Sequence, residues 1–253
     1  MTFEIPTYEQ VRSDEEVKAL QERFEDASAV ELLRWAHAEF GDEVALASSF
    51  GLEDVVLVDL IDEADVPIRI FTLDTGRLHQ ETYDVISQIR ERYDLQIETY
   101  FPEREKVEEM LREKGPNSFY ESREERLECC FIRKVAPLNR ALSSCQAWIT
   151  GLRRDQNVTR QGTPKVEIDR SHGNILKLNP IADWKQDDVT ARIEARDIPY
   201  NELHDRSYPS IGCAPCTRAV EPGEHRRAGR WWWEEPESRE CGLHTEKKTG
   251  ESS

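Results

Sequence analysis

Short apolar runs alternate with longer amphipathic stretches along most of the chain. Val44-Ala45-Leu46-Ala47 is a brief apolar run that exits into Ser48-Ser49-Phe50-Gly51. Its length and its polar, glycine-bearing exit predict a buried strand feeding a tight loop, with a helix over 55–61 behind it. The cycle returns with a strand over 68–73, the loop Asp74-Thr75-Gly76 and a helix over 79–93. It returns again with a strand over 96–100 and a charged helix over 103–113. Residues 147–150 predict a fourth strand that stops at Gly151, and 175–178 a late one that Asn179-Pro180 breaks. Asp183 is then placed to cap a helix running to 197. Ahead of the first strand, Ser13 with Glu16 and Ser28 with Glu31 each match a capping box. The second of these helices carries Val30, Leu33 and Phe40 near helical spacing.

Strands alternating with helices imply right-handed crossovers and a mostly parallel α/β sheet with flanking helices. Ligands on such sheets bind beyond the carboxyl ends of the strands, where loops 48–54, 74–77 and 151–160 fall. After Cys216 the pattern dissolves. Residues 221–253 hold Pro, Gly, paired Arg and Trp231-Trp232-Trp233 without periodicity. The expected organisation is therefore one α/β domain over 1–220 and an extended C-terminal tail over 221–253.

Composition narrows the functions. The 253 residues carry 34 Lys and Arg against 51 Asp and Glu, a formal charge of −17. A field of that sign argues against nucleic-acid and anionic-membrane partners, though a local basic funnel could still take an anionic substrate. No segment approaches the ~20 apolar residues of a membrane helix, and the acidic N-terminus has no signal core, so a cytoplasmic protein is expected. Six cysteines in a reducing compartment read as ligands, nucleophiles or buried small hydrophobes rather than as a disulfide framework.

The cysteines are the most specific feature. Cys129-Cys130 is a tandem pair and Cys213-Ala-Pro-Cys216 a CxxC. Four thiolates can hold zinc or a 4Fe–4S cluster. Adjacent side chains diverge by about 100° on a helix and oppose one another on a strand, so chelation by a tandem pair needs a special backbone that zinc sites rarely use. The alternative, two core cysteines beside a lone CxxC, stays open. Ser48-Ser49-Phe50-Gly51-Leu52-Glu53-Asp54 joins a strand to a helix, where hydroxyls and N–H groups suit a sulfate or phosphate. It lacks the lysine and second glycine of an NTPase phosphate loop. Arg153, Arg154 and Arg160 follow the fourth strand in an otherwise acidic chain, and guanidinium forks match oxyanions. Arg226, Arg227 and Arg230 form a second basic group. In Glu240-Cys241-Gly242-Leu243-His244 a thiol sits in a polar segment that offers no core, and His244 could favour its thiolate. Cys145 and His37 read as structural, His79 as either a helix-start residue or a ligand neighbour, and the tryptophan run as packing or subunit contact, which leaves room for a homo-oligomer.

Together and in this order, these features resemble the iron–sulfur branch of the PAPS/APS reductase family, the assimilatory adenylyl-sulfate reductases. The matching stretches are SSFGLED (48–54), LDTGRLHQETY (73–83), CCFIRKVAPL (129–138), ITGLRRDQNVTR (149–160), NPIADW (179–184), YPSIGCAPCTRAVEPGEHRRAGRWWW (208–233) and ECGLH (240–244). The resemblance implies an adenine nucleotide alpha-hydrolase-like (PP-loop-like) fold and a 4Fe–4S cluster on Cys129, Cys130, Cys213 and Cys216. It implies sulfonate and phosphate contacts from the loop Ser48, Ser49, Phe50, Gly51 and Glu53, and from Lys134, Arg153, Arg154, Arg227 and Arg230. Leu73, Asp74, Thr75 and Gly76 would border the adenosine. Cys241 would be the nucleophile with His244 beside it, adenylyl sulfate the substrate, and sulfite and AMP the products. Plant-type members append a thioredoxin-like domain; here thioredoxin is the expected separate reductant. Competing readings are a PAPS or dual-substrate reductase, an ATP-dependent adenylating enzyme, whose Ser-Gly-Gly-x-Asp-Ser loop SSFGLED does not match, and a metal- or cluster-binding sensor, which would leave Cys241 and the arginines unused.

Overall fold

The computed structural model describes residues 12–156 and 160–235. Two N-terminal helices, α1 (Asp14–Phe24) and α2 (Ala29–Phe40), begin at the capping boxes of Ser13 and Ser28, both of which form. β1 (Val44–Ala47), α3 (Leu52–Ala64), β2 (Arg69–Leu73), α4 (Gln80–Tyr93), β3 (Ile97–Tyr100) and α5 (Arg104–Lys114) follow as the periodicity predicts. Then come α6 (Arg123–Cys130), a π turn (Phe131–Val135), α7 (Ala136–Leu142), β4 (Ala147–Ile149), β5 (Val166–Asp169), β6 (Ile175–Leu178) and α8 (Gln186–Arg196).

The strands form one sheet in the order β3-β2-β1-β4-β6-β5, parallel throughout except for β5, which runs antiparallel to β6. The chain winds outward from β1 through β2 to β3, then returns to β4 on the other side of β1. The order therefore reverses between β1 and β4, and a crevice opens there at their carboxyl ends. Alternate residues feed opposite faces. Val44, Leu46, Ile70 and Ile149 pack into the main core with α2, α3 and α8. Ala45, Phe71 and Trp148 face a second core with Leu138, Ala141, Leu142 and Cys145 of the α7 side. Cys145 is fully buried filler.

α3 is covered on nearly every side, and the acid at its middle is paired. Asp59 is fully buried; Arg192 Nε donates to it at 2.8 Å, Arg196 Nε at 3.3 Å and the Tyr93 hydroxyl at 3.0 Å. This ties α3 to α4 and α8.

Three expectations need correction. Asp183 does not cap α8: its carboxylate pairs with Lys165 at 2.9 Å, and Lys185 occupies the cap position. α6 and β5 are additional elements, α6 because its surface charges hide the buried Arg126, and β5 because it is short and edge-lying. The described part of the segment placed in an extended tail, 221–235, instead folds back on the body. Thr217 bridges Arg230, and Arg230 and Trp231 are buried. Among the described residues no helix is long and apolar enough to cross a membrane.

Candidate active site

A cavity of about 320 Å³ opens at the reversal point, lined from both sides of the crevice. The loop after β1 forms its floor. Ser48 N donates to Phe71 O at 2.8 Å and so continues the ladder. Phe50, buried, then adopts a left-handed conformation (φ 56°), which costs a non-glycine residue roughly 1–2 kcal/mol. The bend lets the chain enter α3 at Gly51, where no side chain caps the helix. Gly51, Leu52 and Glu53 at the start of α3 line the cavity, where a helix N-terminus favours an anion.

Glu53 and Asp54, adjacent on that helix, have opposite environments. Burial opposes the Glu53 carboxylate, but the Arg153 guanidinium and Gln156 hold its pKa below the usual value. Asp54 has no cation; burial raises its pKa to about 6, although it accepts from Ser49 N at 2.7 Å and Ser49 Oγ at 2.8 Å. Asp54 thus holds a proton more tightly folded than unfolded. Its contribution favours the folded state fully below pH ~4 and is lost as pH rises through about 6. Asp54→Asn keeps an acceptor for Ser49 and should stabilise the protein at pH 8 by roughly 1–3 kcal/mol, with no gain below pH ~4. Denaturant titrations at both pH values check this; equal effects at both would refute it.

Gly151, at the exit of β4, is the second close contact. A Cβ there would stand 2.7 Å from Glu53 Cβ and 2.9 Å from Asp54 Oδ1. The loops after β1 and β4 can touch only because this residue has no side chain. Arg153, fully buried, clamps them: Nη2 and Nε donate to Glu53 Oε1 at 2.8 and 3.2 Å, and Nη2 reaches Gln186 Oε1 at 2.8 Å. Gln156 Nε2 joins Glu53 at 2.9 Å, and Arg160 bonds Gln156 in turn.

Ser48, Ser49, Phe50, Gly51, Glu53, Leu73, Lys134, Arg227 and Arg230 all line the cavity. Arg153 and Arg154 are not among these lining residues. In an acidic protein their forks find carboxylates first: Arg153 takes Glu53, and Arg154 takes Glu25 on α1's side at 2.8 and 3.0 Å. Asp74, Thr75 and Gly76 also stand off the cavity. Asp74 Oδ1 accepts from Gly76 N at 2.7 Å and from the Tyr83 hydroxyl at 3.0 Å, and burial with the bond to Asp74 raises the Tyr83 pKa to about 12. Arg160, Gln156, His204 and Arg226 line the cavity too. Arg160 and Arg226 were visible as charge; His204 lies in a polar stretch with no local signal. Cys241 and His244 fall outside the described residues.

Next to the cavity residues Gly212 and Lys134, the four clustered cysteines come within electrostatic reach of one another. Cys213, Cys130 and Cys129 each add to the burial that pushes the Cys216 thiol upward, and Cys129 and Cys213 pack against Phe119, Cys216 and Trp231. The tandem pair ends α6 where the helix widens into the π turn, an uncommon backbone that often marks functional positions. That turn points Arg133 to Thr75 O at 2.7 Å and brings Lys134 to the cavity. Thr75 Oγ1 lies 3.3 Å from Cys213 Sγ, and Ala214 N donates to Arg77 O at 2.8 Å. Burial, together with Cys213, pushes the Cys129 thiol above its ordinary pKa, with Arg133 and Arg77 opposing the shift. The donor chemistry therefore suits a thiolate-ligated group. As placed, the side chains among the described residues form no group of three or more metal-binding donors.

The model of the phosphoadenosine phosphosulfate reductase domain matches residues 43–219. The adenosine 5'-phosphosulfate reductase of Burkholderia cepacia is 52% identical over 221 residues, 86% of this chain and 88% of that protein. The chloroplastic 5'-adenylylsulfate reductase 3 of Arabidopsis thaliana is 44% identical over 91% of this chain, which spans 51% of that protein. Among solved structures, the phosphoadenylyl-sulfate reductase of Candida auris in a phosphate complex superposes with a TM-score of 0.71 at 30% identity, covering 85% of this chain and 100% of that one.

Proposed function

The chain belongs to the phosphoadenosine phosphosulfate reductase domain family, and from that premise we propose that it is an adenylyl-sulfate reductase, an oxidoreductase that converts adenylyl sulfate to sulfite and AMP in sulfate assimilation. The observation that carries the proposal is the meeting, at one sheet edge, of an anion loop, Lys134 and Arg227 and Arg230 with a set of four thiols. An adenylating enzyme needs no such thiols, and a sensor needs no such cavity.

Binding is the work of the described residues. The α3 N-terminus and the Ser48 hydroxyl offer donors to the anion, with Ser49 beside them held to Asp54, while Lys134, Arg160, Arg227 and Arg230 balance its charge in a field set by a net −17. Phe71, Leu73, Leu138 and Trp148 give the purine an apolar wall. The Cys241 thiolate then attacks the sulfur of the mixed anhydride; the new S–S bond forms as the bond to the AMP oxygen breaks, leaving a Cys S-sulfonate. One thiolate of thioredoxin attacks the Cys241 sulfur and expels sulfite, and its second thiol resolves the mixed disulfide. The two electrons come from the dithiol, which leaves as a disulfide. His244, three positions after Cys241 in the sequence, would favour the thiolate.

Cys129, Cys130, Cys213 and Cys216 would hold a 4Fe–4S cluster, which when bound supplies an iron–thiolate charge centre linked to the anion through Lys134. Cys213→Ser should bleach the visible absorbance of anaerobically purified protein and lower its melting temperature, since ligand binding is partly folding free energy. A colourless wild type with stoichiometric zinc would overturn the cluster assignment.

The experiment that tests the function mixes protein with adenylyl sulfate and reduced thioredoxin and measures sulfite and AMP. The likeness to the Candida auris protein favours a second reading, reduction of the 3′-phosphorylated substrate. In the same assay at matched salt, adenylyl sulfate should turn over faster; equal or faster turnover of the 3′-phosphorylated form would transfer the assignment to that reading.

A further inference from the structure

His204 belongs to the short 3₁₀ helix Glu202–Arg206, which follows α8. Asn201 opens that helix: its Oδ1 accepts from Leu203 N at 3.0 Å, and its Nδ2 donates to Thr82 Oγ1 on α4 at 3.1 Å. These bonds hold the imidazole at the cavity wall. One ring nitrogen bonds the Tyr208 backbone. Tyr208 N is already committed to Leu203 O, so the ring is the donor and the Tyr208 carbonyl the acceptor. The other nitrogen, Nε2, is buried without a partner. In neutral imidazole one nitrogen donates and the other accepts, so Nε2 is a bare lone pair. Burial is the largest influence on the ring and lowers its pKa; Arg226 pushes the same way, while Glu53, Asp205 and the Tyr208 bond oppose it.

A buried acceptor lacking a donor is rare enough to require a reason. A nucleotide anion offers few donors: its phosphate and sulfate have none at neutral pH, leaving the base amine and the ribose hydroxyls. Position chooses between them. The apolar wall of Phe71, Leu73 and Trp148 belongs to the sheet face covered by α7. His204 reaches the cavity from the opposite face, where α3, α4 and α8 lie, with Glu53 and Arg226 as its charged neighbours. The apolar wall and the imidazole thus meet the ligand from opposite sides of the sheet edge.

We infer that His204 is a substrate-binding residue whose Nε2 accepts a hydrogen bond from a ribose hydroxyl of the nucleotide. The inference rests on the reading of the cavity as a nucleotide site. It gives the enzyme a means of sensing the sugar that is independent of its cationic anion contacts.

The test uses the full-length holoprotein and titrates AMP, 2′-deoxy-AMP, 3′-deoxy-AMP and purine riboside monophosphate, which lacks the base amine. Wild type should lose roughly tenfold in affinity for one of the two deoxy analogues. His204→Phe should bind AMP roughly tenfold more weakly and no longer distinguish it from that analogue. His204→Gln, which can present an oxygen near the Nε2 position, should recover part of the discrimination. A purely structural role would weaken all four ligands equally in His204→Phe, and that outcome overturns the inference. Coupling to purine riboside monophosphate instead would also overturn it, by assigning Nε2 to the base amine. If wild type binds AMP normally but shows no coupling, the inference alone fails; if wild type binds none of the four, the nucleotide reading fails with it.

Discussion

Cys241→Ser should release no sulfite, although it should still bind nucleotide and keep the colour expected of the wild-type protein. Removing the nucleophile of a two-step displacement takes away the covalent route altogether, so the loss in turnover should be on the order of 10⁴-fold or more. A serine hydroxyl cannot substitute, because at pH 7 it is almost wholly protonated, and its sulfate ester would not be opened by a thiol. The diagnostic result is in the wild type. Given adenylyl sulfate without thioredoxin, it should release one equivalent of AMP and gain the mass of one SO₃ group on Cys241. Reduced thioredoxin should then remove that mass as sulfite. An adduct mapped to buried Cys145, or normal turnover by Cys241→Ser, would end the mechanism.

The second large effect is structural. Arg126 is fully buried and donates to Glu234 through Nε at 2.5 Å and Nη2 at 2.8 Å, with its guanidinium 4.6 Å from the Trp231 ring. This pair fastens segment 221–235 to α6, the helix that ends in Cys129 and Cys130. Arg126→Met leaves the Glu234 carboxylate buried without its fork, which should cost about 3–5 kcal/mol. Glu234→Gln in the Arg126→Met background should restore part of that loss, because the uncompensated charge is gone. Chemical denaturation of the three proteins measures both numbers. A single-variant loss under about 1 kcal/mol would show that the pair does not fasten the segment.

The parallel sheet and its ligand edge were legible because they are written as local period. Val44–Ala47 and Ile175–Leu178 are apolar runs with polar exits, and Ser13 and Ser28 cap helices through side chains three residues away. Pairing choices are not written that way. Arg153 and Arg154 stand in one basic loop, yet the first turns inward to Glu53, 100 residues away, and the second outward to Glu25. A chain with more carboxylates than cations offers each arginine several partners, and only the fold decides between them. His204 escaped for the complementary reason: what distinguishes it is a nitrogen with nothing beside it. The segment after Cys216 read as irregular because its order comes from single long-range contacts, such as Trp231 N to Cys216 O at 3.1 Å, rather than from a repeating pattern.

The two cysteine pairs also stand on either side of the sheet's completion. Cys129 and Cys130 precede β4, whereas Cys213 and Cys216 follow β6, the last strand among the described residues, which ends at Leu178. A ribosome adding ~5–20 residues per second delivers the second pair some seconds after the sheet has all its strands. The nascent chain can therefore assemble its scaffold while only half of the thiol set exists. Iron delivered early would meet two sulfurs and hold weakly; a complete ligand set arrives only with a finished scaffold. Were the four thiols to hold the proposed cluster, its assembly would in this way be timed by the order of synthesis, and a circular permutant opened between β6 and Cys213 would lose that timing.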